Sequence, residues 1–350
     1  MVENVWFCII LVGLVLYVTL DGYDLGMGVL AVFQRTGADR RSLLELVSPV
    51  WDGNESWILL VAVGLWGGFP AASGGLLPSV YPVVIIMLFS LILRGVSFEM
   101  ISNASGWPRL WGRTFMAGSL LAGFTQGIVI GTVIQGVHLG AHDRFTGGTF
   151  DFLSGFTVLT GLTTVVLYSL AGLAMVKMRS NDEGLRRKII PWGRPLVSLA
   201  AIMIVLTGVL VPVAGASTLT IDQPLRVVLM IGACTTAVIL MITAWWSFDK
   251  PNHDILPFVS IAVTMAAGAA GLLILFYPLI LPPYLTIAEA ASPTSSVDFL
   301  LGGFGMLVPV VILYNAFAFW VLRPRRKRAT APFSLANGSI SMQPSTSGGN

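Results

Sequence analysis

Apolar residues fall in long blocks separated by short polar segments, at approximately 5–32, 53–73, 78–101, 113–137, 154–177, 195–215, 225–247, 256–279 and 298–322. Each block is long enough to cross a hydrocarbon core, which takes about 20 residues of helix. Lipid offers no partner to a bare peptide group, so only helices and closed barrels span it. Barrel strands are segments of about ten residues with alternating polarity, which these blocks are not. The pattern predicts an all-α, polytopic membrane protein with nine transmembrane helices.

Composition excludes the main alternatives. Of 350 residues 55% are hydrophobic and only 11% charged, against roughly 25% charged in a soluble domain. Mean hydropathy is +0.83, and the pI near 9.0 gives no case for nucleic acid, because the charges sit between the blocks. On the side of the first loop lie Arg35, Arg40, Arg41, Arg109, Arg113, Lys177, Arg179, Arg186, Arg187, Lys188, Arg194, Lys250, Arg323, Arg325, Arg326, Lys327 and Arg328. That is 17 of the 20 basic residues, leaving Arg144 and Arg226 opposite and Arg94 inside a block. The positive-inside rule then puts the N-terminus outside and the C-terminus in the cytoplasm.

The start, MVENVWFCIILVGLVLYVTLDGYDLGMG, has no basic n-region and no A-x-A site, so it reads as a retained first span. Residues 329–350, rich in Ser, Gly, Pro and Thr, read as a disordered cytoplasmic tail after a membrane domain of residues 1–328. Around 281–296 a Pro pair, apolar residues and small hydroxyl residues suggest a cap packed over helix ends. Gly68-Phe69-Pro70 and Pro78 to Pro82 mark a turn between the second and third blocks.

Cys8 and Cys234 lie in apolar blocks outside any CxxC or Cys/His pattern, which supports neither a disulfide nor a metal site. His138 and His142 have i,i+4 spacing beside Asp143, a weak metal pattern better read as an interfacial loop. His253, next to Asp254, reads as a solvated turn residue. Nucleotide-binding glycine motifs are absent, and nuclease and hydrolase readings have no support.

The informative residues are charges inside or beside the blocks. Asp21 and Asp24 share one helix face by their three-residue spacing. If the span begins near Asn4, Asp21 lies about 25 Å along it, in the cytoplasmic half. A carboxylate there costs several kcal/mol unless protonated, hydrated or paired. Gly22, Gly26 and Gly28 allow close helix approach, so the carboxylates face protein or internal water; a structural polar network and a proton-linked role both remain open. Asp52 is placed as an N-cap and Glu55 completes a capping-box arrangement, yet with Asn54 they would equally form a hydrated entrance to a proton path. Arg94 and Glu99 stand roughly 140° apart around one helix, so each seeks a partner elsewhere. For Arg94 that partner is Asp21, Asp24 or a carboxylate of another subunit; Glu99 is a proton-path residue or a surface charge.

The segments TLDGYDLGMGVL, RRSLLELVSPVWDGNESWILLVAVGLWGGFP, ILRGVSFEM and YPLILPPYLTIAEAASPTSSVDFLLGGFGMLVPVVILYNAFAFWVLR resemble subunit II of cytochrome bd ubiquinol oxidase, including its cyanide-insensitive relatives. The resemblance runs from about residue 6 to 323 and is weakest around 138–190. It implies two four-helix bundles plus a peripheral helix in a bacterial cytoplasmic membrane. It also implies a haem-bearing subunit I as partner, with quinol oxidised at the outer side and dioxygen reduced to water by cytoplasmic protons. Haems b558, b595 and d and the quinol site would then belong to subunit I, so no residue of this chain is assigned a catalytic, cofactor-binding or metal role. A structural quinone and small accessory subunits are compatible with the family, with no ligand residues assigned. The resemblance places Asp21, Asp24 and Asp52 in proton access or polar contacts.

The expected mechanism is a scaffold carrying part of a proton route, with Asp52 near the entrance and Asp21 or Asp24 farther in, and Glu55, Glu99 and Arg94 nearby. A proton-coupled secondary transporter is the alternative from another class, weakened by the lack of an internal repeat. A purely structural assembly subunit is the third.

Overall fold

The structure is a computed structural model that describes residues 2–31, 43–48, 50–102, 108–140, 145–214 and 224–321. The tail at 329–350, His142, Asp143, Arg35, Arg40, Arg41, Arg144 and the basic run at 323–328 lie outside the described residues. The long helices are α1 (Val2–Leu30), α2 (Trp51–Gly68), α3 (Pro70–Ser102), α4 (Pro108–Gln135) and α5 (Gly155–Arg179). A short α6 (Glu183–Ile189) leads into α7 (Gly193–Leu210), followed by α8 (Pro224–Phe248) and α9 (Leu256–Phe276). Then come the strands β1 (Leu279–Leu281) and β2 (Leu285–Thr286), α10 (Ile287–Ala290), and α11 (Thr294–Leu300), joined through the π-helical turn Leu301–Gly305 to α12 (Met306–Val321).

The chain is an all-α, polytopic membrane protein. Among the described residues eight helical segments are long and apolar enough to cross a membrane. Helix α2 is not one of the eight, since its opening turns carry Asp52, Asn54 and Glu55.

One expected boundary is corrected. The prolines at 78 and 82 do not mark a turn but lie inside α3, which begins at Pro70. The break is the single buried residue Phe69, whose N–H closes α2 on the Leu65 carbonyl at 2.8 Å. A proline in a lipid-embedded helix is tolerated where neighbouring groups take up the backbone polarity it frees. Within this stretch the Ser79 hydroxyl donates to the Leu76 carbonyl at 2.6 Å.

Helix α1 is the hub and packs beside α2, α4, α5, α9 and α11. Its second half is buried on every side from Asp21 to Gly28. The cause is the small residues where α1 crosses α5: a Cβ on Gly26 would stand 1.7 Å from the Tyr168 carbonyl oxygen. Gly172 does the same from α5, where a Cβ would meet the Met27 nitrogen at 2.6 Å. Such crossings let two backbones touch, which is how helices gain dispersion contact without a solvent-driven hydrophobic effect. Around them the main core gathers Tyr23, Leu25, Leu170, Leu173, Met175 and Phe248. Outward faces carry Leu59, Ile92, Val228 and Leu313, as lipid contact requires.

At the end where α1 begins and α2 finishes, residues 279–297 form a packed cap. The antiparallel β1–β2 hairpin seats Leu281, Leu285, Ile287 and Val297 on Trp6, Phe69 and Val137. Ser292 ties it down: its N–H donates to the Gly68 carbonyl at 2.9 Å and its hydroxyl to the Gly67 carbonyl at 2.7 Å. Two of the carbonyls that the end of α2 leaves without helical partners are satisfied in this way.

Candidate functional site

The buried charges converge where α1, α2 and α3 meet. Arg94 of α3 extends Nη1 to within 2.8 Å of Asp21 Oδ1 on α1, and the two side chains are 2% and 0% exposed. Glu55 of α2 approaches the other guanidinium nitrogen at 3.7 Å and is 28% exposed, so it joins the buried pair to the surface. Arg94 and Asp21 make a close ion pair whose atoms are not aligned as a hydrogen bond. The Trp51 ring lies 5.9 Å from the guanidinium carbon and closes one side of the charge. Gly118 lets α4 approach the Arg94 backbone, where a Cβ would be 3.1 Å from the Arg94 nitrogen.

Asp24, one turn beyond Asp21, turns to α2. Asn54 Nδ2 donates to Asp24 Oδ2 at 2.8 Å and stands 3.0 Å from the Tyr23 hydroxyl and 3.4 Å from the Leu20 carbonyl. Asp24 Oδ1 is buried and has no donor among the described residues. Shared spacing on α1 thus sends two carboxylates to two different neighbours, a cation on α3 and a neutral amide on α2.

One expectation, the capping role of Asp52, comes out differently. Asp52 is exposed and stands outside the buried group. It does not cap α2: the helix begins at Trp51, its N-cap is Val50, and no side chain caps its first N–H groups. The helix starts two residues earlier than a capping Asp52 would require, so Asp52 falls within the first turn and its carbonyl accepts from Ser56 Oγ at 2.8 Å. Glu99 is exposed near the end of α3, a full turn past Arg94.

Sequence reading passed over a second buried group. Gln126 of α4 bonds Tyr17 of α1 and Tyr168 of α5 at 2.6 and 2.8 Å. A glutamine and two tyrosines in apolar blocks carry no charge to mark them, and only the fold brings positions 109 and 42 residues apart together.

Elsewhere the charges serve the fold. Lys177, buried at the end of α5, donates Nζ to the carbonyls of Phe248 at 2.6 Å and Lys250 at 3.1 Å, capping α8. Arg186 bonds the Lys177 carbonyl and pairs with Asp254 at 3.0 Å. His138 is exposed in the segment after α4, and His253 stands edge-on to Trp246 at 5.1 Å. Among the described residues no cluster of His, Cys, Asp or Glu could hold a metal ion. A small apolar cavity of about 10 Å³ lies beside Met27, Leu43, Val47 and Phe115, with no polar side chain in its wall among the described residues.

Comparison with known proteins gives a consistent answer. The family model described as cytochrome bd terminal oxidase subunit II matches residues 2–322. Cytochrome bd-I ubiquinol oxidase subunit 2 of Escherichia coli K12 is 26% identical, with 90% of this chain and 93% of that one covered. Cytochrome bd ubiquinol oxidase subunit 2 of Bacillus subtilis is 28% identical over 52% of this chain and 54% of its own. A solved bd oxidase structure from Geobacillus thermodenitrificans has a chain of the same fold, with a TM-score of 0.69 at 17% identity, covering 91% of this chain and 99% of that one.

Proposed function

The chain belongs to the cytochrome bd terminal oxidase subunit II family, and from that premise we propose how its buried charges serve the complex. Its role is that of subunit II in a cytochrome bd-type quinol:O2 oxidoreductase, as a non-catalytic subunit of the enzyme. The proposal is that Glu55, Asp21 and Asp24 form part of a proton route from the cytoplasmic side, held in shape by Arg94. One observation carries it: a fully buried carboxylate–guanidinium pair lies next to a half-exposed carboxylate, so a charge-lined step leads from the surface into the bundle.

Each residue has a separate task. Glu55 can exchange protons with water because it is partly exposed. Arg94 stays charged and moves no proton; its cation keeps a negative charge affordable at Asp21. Asp24 has one oxygen tied to Asn54 and the other without a donor, so it can accept a proton without breaking a bond. Asp52 and Glu99, exposed on the same two helices, are outer collecting groups in this scheme.

The reading extends to architecture and partners. Helix α2, with its polar start, is the ninth span beside the eight apolar segments. In this scheme α1 to α4 form one four-helix group and α5 with α7, α8 and α9 the other, joined by the packing of α5 on α1 and α4, with α12 at the periphery. Residues 1–328 form one membrane domain with the N-terminus outside in a bacterial cytoplasmic membrane, a placement supported by the basic residues at the α5 to α7 end. A haem-bearing subunit I is the partner. The histidines described here do not fit a haem: one is exposed in a connecting segment and the other packs on a tryptophan. A structural quinone remains compatible with the family, and no ligand residues for it are assigned among the described residues; the apolar cavity by Met27 is too small to hold one.

The test uses the complex with subunit I. Asp21→Asn and Glu55→Gln variants that copurify with haem signals yet consume oxygen slowly with quinol support the route. Assembled variants with unchanged rates over a wide pH range overturn it and leave the cluster a structural lock.

A further inference from the structure

Helices α5, α7, α8 and α9 are sealed together at one end and open at the other. At the end that carries Lys177, α5 is buried on every side from Tyr168 to Lys177. Its neighbours are buried there too, at Ala200 of α7, Met241 and Ala244 of α8, and Ile261 and Thr264 of α9. Toward the side of the cap the burial stops. No residue of α7 after Ala200, of α8 before Met241 or of α9 after Met265 is buried.

The faces left open are the inward ones. Gly268 lies seven residues past Ile261 and three past Met265, at the centre of the face that α9 buries at the sealed end. A Cβ on it would nonetheless meet nothing within 4 Å among the described residues. On α8 the spacing of Arg226, Met230 and Ala237 continues the face that buries Met241, Ala244 and Phe248, yet these three are only half-buried. Within each pair the helices stay together at this level. The hydroxyls of Thr163 on α5 and Thr207 on α7 are 3.1 Å apart, and a Cβ on Gly271 of α9 would stand 4.0 Å from that of Ala233 on α8. The opening is therefore a groove between the α5–α7 pair and the α8–α9 pair.

The depth of the groove and the charge at its mouth define what fits it. From Met265 to Phe276 α9 rises about 17 Å, at 1.5 Å per residue. That is close to half of a hydrocarbon core of about 30 Å, so the groove is one leaflet deep. At its mouth the Arg226 Nη2 donates to the Tyr277 carbonyl at 2.7 Å and ties the start of α8 to the end of α9. A guanidinium carries five N–H donors, so one such bond leaves others for an anion, and their fork matches a phosphate. A cation above an apolar slot one leaflet deep complements a phospholipid. A quinone would fill the apolar part and bring no charge for Arg226.

We propose that this groove holds an acyl chain of an anionic phospholipid from the leaflet on the cap side, the outer one in the orientation given above, with the lipid phosphate on Arg226. The experiment places the complex with subunit I in phosphatidylcholine nanodiscs that contain phosphatidylglycerol with a photoreactive diazirine midway along one chain. Crosslinks are mapped by peptide mass spectrometry in the native chain, in Arg226→Gln and in Gly268→Phe, whose ring would occupy the open space. The expected result is labelling of 225–240 and 266–276 in the native chain. In Arg226→Gln it falls about tenfold, the scale of one hydrogen bond to a charged group, and labelling of the lipid-facing side of α3 is unchanged. In Gly268→Phe the label leaves 266–276. Arg226→Gln alters an exposed hydrogen bond only and decides the matter by itself if Gly268→Phe does not assemble. Labelling of these segments equal in the native chain and Arg226→Gln overturns the proposal, since ordinary lipid contact then explains it. Native segments without label overturn it as well and assign the groove to subunit I or a second copy of the chain. Label that is displaced by added long-chain quinone and indifferent to Arg226→Gln overturns it in favour of a quinone.

Discussion

Arg94 and Asp21 come from helices α3 and α1, stand 2.8 Å apart, and are both closed off from solvent. Desolvating two charges costs several kcal/mol each, and their attraction only roughly offsets it, so such a pair is weak evidence for stability by itself. Its consequence is specificity: a single missing partner leaves the other charge stranded in the bundle. Glu55 at 3.7 Å adds a second negative group to one cation, and this triad bridges three helices.

Removing only the cation is therefore costly. Arg94→Met should destabilise the complex by about 3–5 kcal/mol, while Arg94→Met with Asp21→Leu should recover most of that loss. Thermal unfolding of the purified complex, analysed as a double-mutant cycle, measures both. A double variant as unstable as the single one would show that shape, not charge pairing, governs the site.

Glu55 and Asp52 separate two versions of the entrance. Glu55 reaches the buried cation and Asp52 does not. Glu55→Gln should slow quinol-driven oxygen uptake about tenfold, the effect of roughly 1.4 kcal/mol on the barrier. Asp52→Asn, a surface change, should stay within about twofold. Equal losses in the two variants would return Asp52 to the centre of the route.

How much of this was legible in the sequence depends on the kind of signal. Membrane blocks are written in hydropathy, so the polytopic all-α fold could be read directly, with eight apolar segments among the described residues, and the packed cap showed in the Pro pair and small hydroxyl residues. The α2–α3 boundary was misread because Pro78 and Pro82 look like turn residues in water, whereas lipid keeps them helical. Asp21, Asp24 and Arg94 stood out because charge in an apolar block is expensive. Gln126 and the two tyrosines did not, since a neutral polar residue in a span is common and its partner lies on another helix. Capping by Asp52 was a local inference, and a start shifted by two residues was enough to undo it.

The α1–α5 crossing gives a packing prediction. A methyl group on Gly26 would fall against the Tyr168 carbonyl oxygen, a backbone atom that cannot swing away, whereas Gly268 has open space around it. Gly26→Ala should cost about 1–3 kcal/mol or more and displace the Tyr168 hydroxyl from Gln126. Gly268→Ala should be neutral or slightly stabilising, by helix propensity alone. Accumulation of the assembled complex in membranes distinguishes the two, and equal accumulation would mean that α1 and α5 are less closely packed than described.

The cap over the α1 and α2 ends carries a pH dependence of its own. Thr286 begins α10 as a capping box, with its hydroxyl on Glu289 Oε2 at 2.6 Å and its backbone N–H on the same oxygen at 3.0 Å. These two donors hold the Glu289 carboxyl below its ordinary value. A carboxyl whose value is lower in the folded state binds its proton more readily when unfolded, so its contribution is present above the unfolded value, about 4.3, and is lost as pH falls through the folded one. Glu289→Ala should therefore lower the thermal midpoint of the cap at about pH 6, and that difference from the native chain should close as pH drops below about 4. The difference follows only one exposed carboxylate, so it should be small beside the Arg94 effect. A gap that stays constant across this range would mean that Glu289 acts through its side-chain packing and not through its charge.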